Sequence, residues 1–196
     1  MTRNNQATLA IDFDVEDIYR NKIKLSEFHG RAVMLCFFKQ ACTGDRKSLI
    51  HFLTNNYEQL QDAGVEVVTV FSETVSRLKS TFKKRPRPFA VIADPKLELF
   101  DKYELKDVAG SSPVSKRKSV SKISNLFSSK MQWLNSDVEI TPAQFLITDE
   151  GQVRRSWHGR DDLDYIPMEK IDSFVLASRI VTRKKEIAKR KAKIYK

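Results

Sequence analysis

The sequence has few cysteines and no long apolar segment, and both shortages limit the classes of protein to which it can belong. Only two cysteines, Cys36 and Cys42, occur among 196 residues, which is too few for a disulfide framework and is typical of a reducing compartment. No apolar run approaches the roughly 20 residues that a membrane-spanning helix needs. Residues 1–14 contain no apolar stretch of signal-peptide length followed by a small-residue cleavage site. We therefore expect a soluble, cytoplasmic protein.

Motifs for metal ions and for phosphate-bearing cofactors are also missing from the sequence. His29 and His51 have no cysteine or carboxylate cluster around them at the spacing of metal ligands. No glycine-rich phosphate loop occurs in the chain. We predict no metal site and no cofactor, so any chemistry would depend on the side chains of the chain itself.

Positive charge is abundant, but it is concentrated in two segments. The net charge is +10; residues 111–130 hold five basic residues and no acid, and residues 179–196 hold nine basic residues and one acid, which leaves −3 for the remainder. Such runs can contact polyanions through nonspecific phosphate binding, although the second one lacks interleaved aromatic residues. We predict a core domain over residues 1–178 that carries a basic, serine-rich insertion at 108–139. Residues 179–196 are predicted to form a basic helical tail.

The insertion contains a few large apolar residues that indicate a short amphipathic helix. These residues are Phe127, Met131, Trp133 and Leu134. The helix could cover part of the core, or it could face lipid or a partner, because basic residues beside an apolar face suit either surface. A phosphorylatable loop is a third alternative, given the serine content, and the sequence leaves all three open.

Strand and helix patterns alternate over the first hundred residues. Three apolar runs predict buried strands, at Ala32–Phe38, Val65–Phe71 and Phe89–Ala93. Each run is followed by apolar residues at helical spacing, which predict helices from Asp45 to Ala63, with Gly64 as the C-cap, from Ser72 to Lys83 and from Lys96 to Tyr103. This alternation is typical of right-handed β-α-β crossovers and a largely parallel sheet.

The end of the predicted core domain has a different pattern. Ala143–Thr148 and Val153–Trp157 are predicted strands separated by a turn at 149–152, which indicates an antiparallel hairpin. A final helix is predicted to begin near Pro167. The fold class is therefore α/β, with a central mixed sheet.

Cys42 stands between the predicted strand Ala32–Phe38 and the helical pattern that follows it. A cysteine held at the first turn of a helix faces unpaired backbone N–H groups and the helix dipole, which favour a thiolate over a thiol. Cys42 is therefore a candidate redox residue, and a small buried thiol is the alternative. Cys36 lies within the apolar strand and is predicted to be a core residue. His158 is interpreted as a surface residue, with proton donation as the alternative.

Several segments together resemble the thioredoxin-like peroxiredoxin family, which is the alkyl hydroperoxide reductase C and thiol-specific antioxidant group. Cys42 follows the strand after which that family places its redox cysteine. The segment PFAVIADP, at 88–95, is similar to the family's "PFPVISDP". The other similar segments are Leu99–Tyr103, Thr141–Ile147, Trp157–Asp161 and Tyr165–Pro167. The resemblance covers roughly residues 10–178 and implies a thioredoxin-like fold with helices on both faces of the sheet.

The resemblance also implies a mechanism and its partners. The Cys42 thiolate would attack a peroxide or an oxidised thiol, and an external thiol such as thioredoxin or glutathione would reduce the product. Pro142 would form a cis peptide bond beside Cys42.

The sequence departs from the family pattern at three positions. Asp45 occupies the position of the second cysteine expected in the nearest branch, and an acid there suits a one-cysteine peroxidase. That one-cysteine group, however, is expected to have a threonine where this chain has Lys39 and an arginine where it has Pro142. Lys39 and Arg46 could lower the pKa of Cys42 against the effect of Asp45. Because the second cysteine is missing, a second hypothesis stays open: a redox-inactive module with a thioredoxin fold that binds a protein, an anionic membrane or nucleic acid through its basic segments.

Overall fold

The computed structural model of the chain describes residues 8–41, 48–108, 138–160 and 164–194. The predictions for Cys42, Asp45 and Arg46, and those for most of the insertion at 108–139, therefore lie outside the described residues. The described strands are β1 (Asp14–Glu16), β2 (Lys22–Lys24), β3 (Ala32–Phe38), β4 (Val65–Phe71), β5 (Ala90–Ala93), β6 (Lys106–Val108), β7 (Val138–Ile140), β8 (Ala143–Ile147) and β9 (Val153–His158). The described α-helices are α1 (Leu49–Asn55), α2 (Tyr57–Asp62), α3 (Val75–Phe82), α4 (Glu98–Lys102) and α5 (Met168–Ile194).

The central sheet has five strands in the order β5-β4-β3-β8-β9. β3 pairs in parallel with β4, and β4 pairs in parallel with β5, whereas β8 is antiparallel to both β3 and β9. The predicted mixed sheet and its antiparallel hairpin are confirmed. β3 and β4 occupy the same residues as the two longest predicted strands, and every residue of β3 is buried.

β3 contributes side chains to two hydrophobic clusters, one on each face of the sheet. Met34 and Cys36 point to the face covered by α1, α2, α3 and α5. Leu35 and Phe37 point to the opposite face, which is covered by α4 and by the β1–β2 hairpin. Because successive strand side chains alternate between faces, a continuous apolar run is what a strand covered on both sides requires. Helices lie on both faces, and the fold is thioredoxin-like.

The first predicted helix differs from the structure at its start and in its middle. α1 begins at Leu49 rather than Asp45, because Ser48 has extended backbone and its hydroxyl accepts the His51 N–H at 3.4 Å as an N-cap. Asn56 then separates α1 from α2, so the single helix predicted through Ala63 is wrong. The predicted end is confirmed, since Gly64 has a φ of 75° after the last turn of α2.

The last helix begins next to Pro167, as predicted, and continues without a break past residue 178. Ile171 and Phe174 in its first turns are buried in the core, and Lys185 forms an ion pair with Asp149 in the β8–β9 turn. In the part of the chain that the structure describes, neither α5 nor any other helix is long and apolar enough to cross a membrane.

Candidate active site

The residues that lead to Cys42 lie at the carboxyl ends of β3 and β4. These two strands are parallel, with Phe38 opposite Phe71, so the loops that follow them meet at the same edge of the sheet. Ala41 is the last described residue before Cys42, and Ser48 is the first one after Lys47. Cys42 and Asp45 themselves fall in residues 42–47, outside the description. The structure therefore defines both ends of the segment that carries the predicted redox residue.

The segment before Cys42 is fixed by hydrogen bonds to the loop that follows β4. The Ser72 N–H donates to the carbonyl of Phe38 at 3.3 Å, and the Ser72 hydroxyl donates to the carbonyl of Lys39 at 2.7 Å. The Ala41 N–H donates to Oε2 of Glu73 at 2.7 Å. Three hydrogen bonds, at Phe38, Lys39 and Ala41, thus hold the chain up to the residue that precedes Cys42.

Glu73 also places a charged group close to this segment. Its side chain is 9% exposed, and its Oε1 lies 2.5 Å from Nε of Arg77, whose side chain is 59% exposed. A carboxylate near a thiol disfavours the thiolate, and a guanidinium favours it. The Glu73 carboxylate and the Arg77 guanidinium would therefore shift the pKa of a thiol near Ala41 in opposite directions.

Pro142 lies at the same edge of the sheet. Ala143 pairs with Phe37, so Pro142, the residue before Ala143, lies at the carboxyl end of β3. The Pro142 side chain is buried. The prediction of a cis bond is wrong: the Thr141–Pro142 peptide bond is trans. The trans isomer is the lower-energy form of most X–Pro bonds. Here the flanking backbone is fixed by the Thr141 N–H, which donates to the Leu105 carbonyl at 3.0 Å, and by the Gly159 N–H, which donates to the Pro142 carbonyl at 2.7 Å.

Cys36 is separated from this edge by its burial in the core. The side chain is 0% exposed, and desolvation raises the pKa of its thiol far above the ordinary value. Its assignment as a core residue is confirmed. A thiol in this environment remains protonated and is inaccessible to an oxidant.

His158 lies on the edge strand β9, opposite Ala143. Its side chain is exposed, and its ring packs edge-on against Phe145 with 6.0 Å between the ring centroids. The interpretation of His158 as a surface residue is confirmed.

A cavity of about 270 Å³ lies at the opposite end of the sheet. It is lined by residues that include Leu25, His29, Val33 and Gly151. Val33 is the second residue of β3, whereas the hydrogen-bonded segment Phe38–Ala41 begins at the last one, so this cavity and that segment occupy opposite ends of the strand.

Sequence reasoning missed Ser72, Glu73 and Arg77. A usable signal did exist, because the carboxyl ends of neighbouring parallel strands meet at one edge, and the loop after β4 must then lie beside the loop after β3. Polar residues directly after the second strand, such as Ser72 and Glu73, were therefore candidates for contacts with the segment before Cys42.

Comparisons with known proteins agree with this architecture. The sequence profile of the AhpC/TSA family matches residues 7–156. No curated protein sequence was found to match the chain. Similar solved structures include a thiol:disulfide interchange protein DsbE from Chlorobium tepidum, with 19% identity, a TM-score of 0.59, and coverage of 89% of this chain and 98% of that one.

Two further structures of similar fold are peroxide-related proteins. Peroxidoxin BcpB from Mycobacterium tuberculosis has 12% identity and a TM-score of 0.61, with coverage of 89% of this chain and 96% of that one. The bacterioferritin comigratory protein of Xanthomonas campestris, which has alkyl peroxide reduction activity, has 14% identity and a TM-score of 0.61, with coverage of 90% and 99%. At these identities the three structures show a shared fold.

Proposed function

Because the chain belongs to the AhpC/TSA family, we propose that it is a thiol-dependent oxidoreductase in which Cys42 is the redox residue. The observation that carries the proposal is the hydrogen-bonded segment Phe38–Ala41. It leads from a fully buried strand to Ala41, the residue before Cys42 in the sequence, at the edge where Pro142 also lies. A cysteine that must meet a substrate in a defined geometry needs such a support.

The substrate class we propose is a peroxide, with an oxidised thiol as the alternative. The Cys42 thiolate attacks one peroxide oxygen, the O–O bond breaks, and the departing oxygen takes a proton and leaves as water or an alcohol. Cys42 is then a sulfenic acid, two electrons more oxidised than the thiol. The alkyl peroxide reduction activity of the Xanthomonas protein supports this class, and the Chlorobium interchange protein supports the alternative.

The reductant we propose is an external thiol of the thioredoxin or glutathione type. Cys36 is fully buried in the core, and Asp45 occupies the position where the nearest branch has a second cysteine. An incoming thiol attacks the sulfenic acid, water leaves, and a mixed disulfide forms. A second external thiol then releases Cys42 as a thiolate and completes the cycle.

Trapping the sulfenic acid tests the proposal. The full chain is treated with hydrogen peroxide in the presence of dimedone, and the labelled residue is identified by mass spectrometry. We expect the label on Cys42, full labelling of Cys36→Ala, and none in Cys42→Ser. If Cys42 reacts no faster than a cysteine in an unstructured model peptide, the proposal is wrong.

A further inference from the structure

Helix α5 carries a line of exposed apolar side chains that the core does not use. Leu176, Ile180 and Ile187 are 60%, 49% and 46% exposed. At about 100° per residue, these three positions fall within about 40° of one another around the helix axis. They therefore form a narrow apolar line, which we call the α5 ridge.

The α5 ridge points away from the body of the protein. Ile171 and Phe174, which are buried in the core, lie roughly opposite the ridge around the same axis. Lys185 also lies opposite the ridge, and its ammonium group bonds to the carboxylate of Asp149 in the β8–β9 turn. The helix is thus held on one side by the domain while the ridge faces outward.

Basic side chains flank the ridge on both sides. Helical spacing places arginines along one side and lysines along the other. All five of these residues are exposed: Arg179, Arg183 and Arg190 on the first side, and Lys184 and Lys191 on the second. Glu186 is the one acidic residue between 179 and 196. An anionic membrane surface would complement this arrangement. Its headgroups would contact the two basic rows, and the apolar layer beneath them would receive the apolar line.

We propose that α5, from Leu176 to Lys191, docks the protein onto an anionic lipid surface. The ridge would enter the boundary between the headgroups and the acyl chains, while the flanking arginines and lysines contact lipid phosphates and carboxylates. This function goes beyond the proposed redox chemistry and uses residues that lie outside the candidate active site.

The charged and the apolar side chains of α5 together favour a lipid surface over a second copy of the chain or a nucleic acid as its partner. A second copy of α5 would bring its own basic rows against these rows, and like charges repel. A nucleic acid would neutralise the basic rows but would leave the three aliphatic side chains of the ridge in water. An anionic membrane satisfies the charged and the apolar groups at once.

Vesicle cosedimentation of the full chain tests the proposal. We use vesicles of phosphatidylcholine and phosphatidylserine in equal amounts, and vesicles of phosphatidylcholine alone. The chain is expected to bind the first and not the second, and raised salt is expected to weaken the binding because it screens the charged contacts.

Two variants separate the contributions of the ridge and of its flanks. The ridge variant carries Leu176→Gln, Ile180→Gln and Ile187→Gln. The flank variant carries Arg183→Gln, Lys184→Gln, Arg190→Gln and Lys191→Gln. Each is expected to reduce binding to the phosphatidylserine vesicles about tenfold or more. Glutamine is a good helix former and the positions are exposed, so circular dichroism should show unchanged folding.

Matched controls on another helix keep the test specific. Val75→Gln removes an apolar side chain of similar exposure, 45%, from α3. Lys79→Gln, Lys83→Gln, Lys84→Gln and Arg85→Gln together remove four exposed positive charges in or next to α3. Both controls are expected to bind the vesicles as the unaltered chain does.

Several outcomes would overturn the proposal. These are an absence of binding, equal binding to both kinds of vesicle, full binding by either α5 variant, and equal weakening by the α3 controls. Dimerisation of the free protein that depends on the ridge would also overturn it, because a second copy would then be the occupant.

Discussion

At the scale of single residues, Glu73 is the side chain through which a neighbouring loop acts on the segment before Cys42. Its Oε2 accepts the Ala41 N–H at 2.7 Å, and its Oε1 pairs with Arg77. The first contact positions the backbone, and the second partly neutralises the carboxylate. Positioning and charge can be separated by mutation, because an amide keeps an acceptor oxygen but carries no charge.

Glu73→Gln and Arg77→Gln are predicted to move the pKa of Cys42 in opposite directions. Removal of the carboxylate lowers the pKa, so Cys42 becomes a thiolate at lower pH; removal of the guanidinium raises it. We expect shifts of about half a unit or more, which the pH dependence of alkylation by iodoacetamide would measure in a Cys36→Ala background. Arg155→Gln, at an exposed arginine of β9, is the control. Shifts of the same sign in both variants would contradict the prediction.

Pro142 illustrates what sequence alone leaves undetermined at this scale. The predicted strand Ala143–Thr148 begins where β8 begins and ends one residue beyond it, but the isomer implied for the peptide bond before Pro142 is wrong. The two isomers of an X–Pro bond differ by only about 0.5–1 kcal/mol in an unconstrained chain. Tertiary contacts therefore decide between them, and the contacts here are with Leu105 and Gly159, which are both distant in sequence.

At the scale of elements, α4 depends on one buried carboxylate. Oδ1 of Asp94 accepts the Glu98 N–H at 2.8 Å, and Oδ2 accepts the N–H groups of Leu99 and Phe100 at 2.8 and 3.1 Å. The side chain is 6% exposed, so water would not readily replace it. Asp94 therefore caps the start of α4.

Asp94→Ala is predicted to lower the free energy of unfolding by about 2 kcal/mol, because three backbone donors lose a charged acceptor. Asp94→Asn should cost less, since its amide oxygen can still accept one or two of the bonds. Urea unfolding followed by circular dichroism measures both changes. If Asp94→Ala costs no more than Asp94→Asn, the three hydrogen bonds do not stabilise α4 as described.

The elements also show where sequence patterns succeed and fail. Ala32–Phe38 and Val65–Phe71 were predicted to the residue because a strand buried on both faces leaves a continuous apolar run. The break at Asn56 was missed because the apolar spacing continues through it. The Asn56 side chain donates to the Phe52 carbonyl at 2.9 Å, and such local bonds compete with helix continuation.

The hydrogen bond between Ala41 and Glu73 was missed for a different reason. Ala41 and Glu73 are 32 residues apart, and they meet only because β3 and β4 are neighbours in the sheet. A local pattern in either loop carries no sign of this contact. The apolar run ends at Phe38, in contrast, so the sequence alone indicates that Cys42 comes after β3.

At the scale of the whole molecule, both hydrophobic clusters share β3, and α5 extends beyond them. Phe174 belongs to the core and is 7% exposed, whereas the described side chains from Glu186 to Lys191 are exposed. The stability of the domain should therefore depend on the first turns of α5 and not on its last ones.

A chain that ends at Lys185 is predicted to unfold at nearly the same urea concentration as the full chain, with a difference of at most about 0.5 kcal/mol. Phe174→Ala is predicted to cost about 3 kcal/mol, because it leaves a cavity between the helix and the sheet. Equilibrium unfolding of both proteins checks the contrast. A truncated chain that is destabilised as strongly as Phe174→Ala would show that the end of α5 belongs to the folded core.

The backbone around Pro142 has a consequence for the way a molecule can bind at this edge. The Thr141 N–H and the Pro142 carbonyl are already engaged, with Leu105 and Gly159 respectively. An extended polypeptide that sought to pair with this edge would have to compete with both internal bonds. A small hydroperoxide needs no backbone partner and meets no such competition. The trans Thr141–Pro142 segment therefore offers neither of these two groups to an extended peptide unless an internal hydrogen bond breaks.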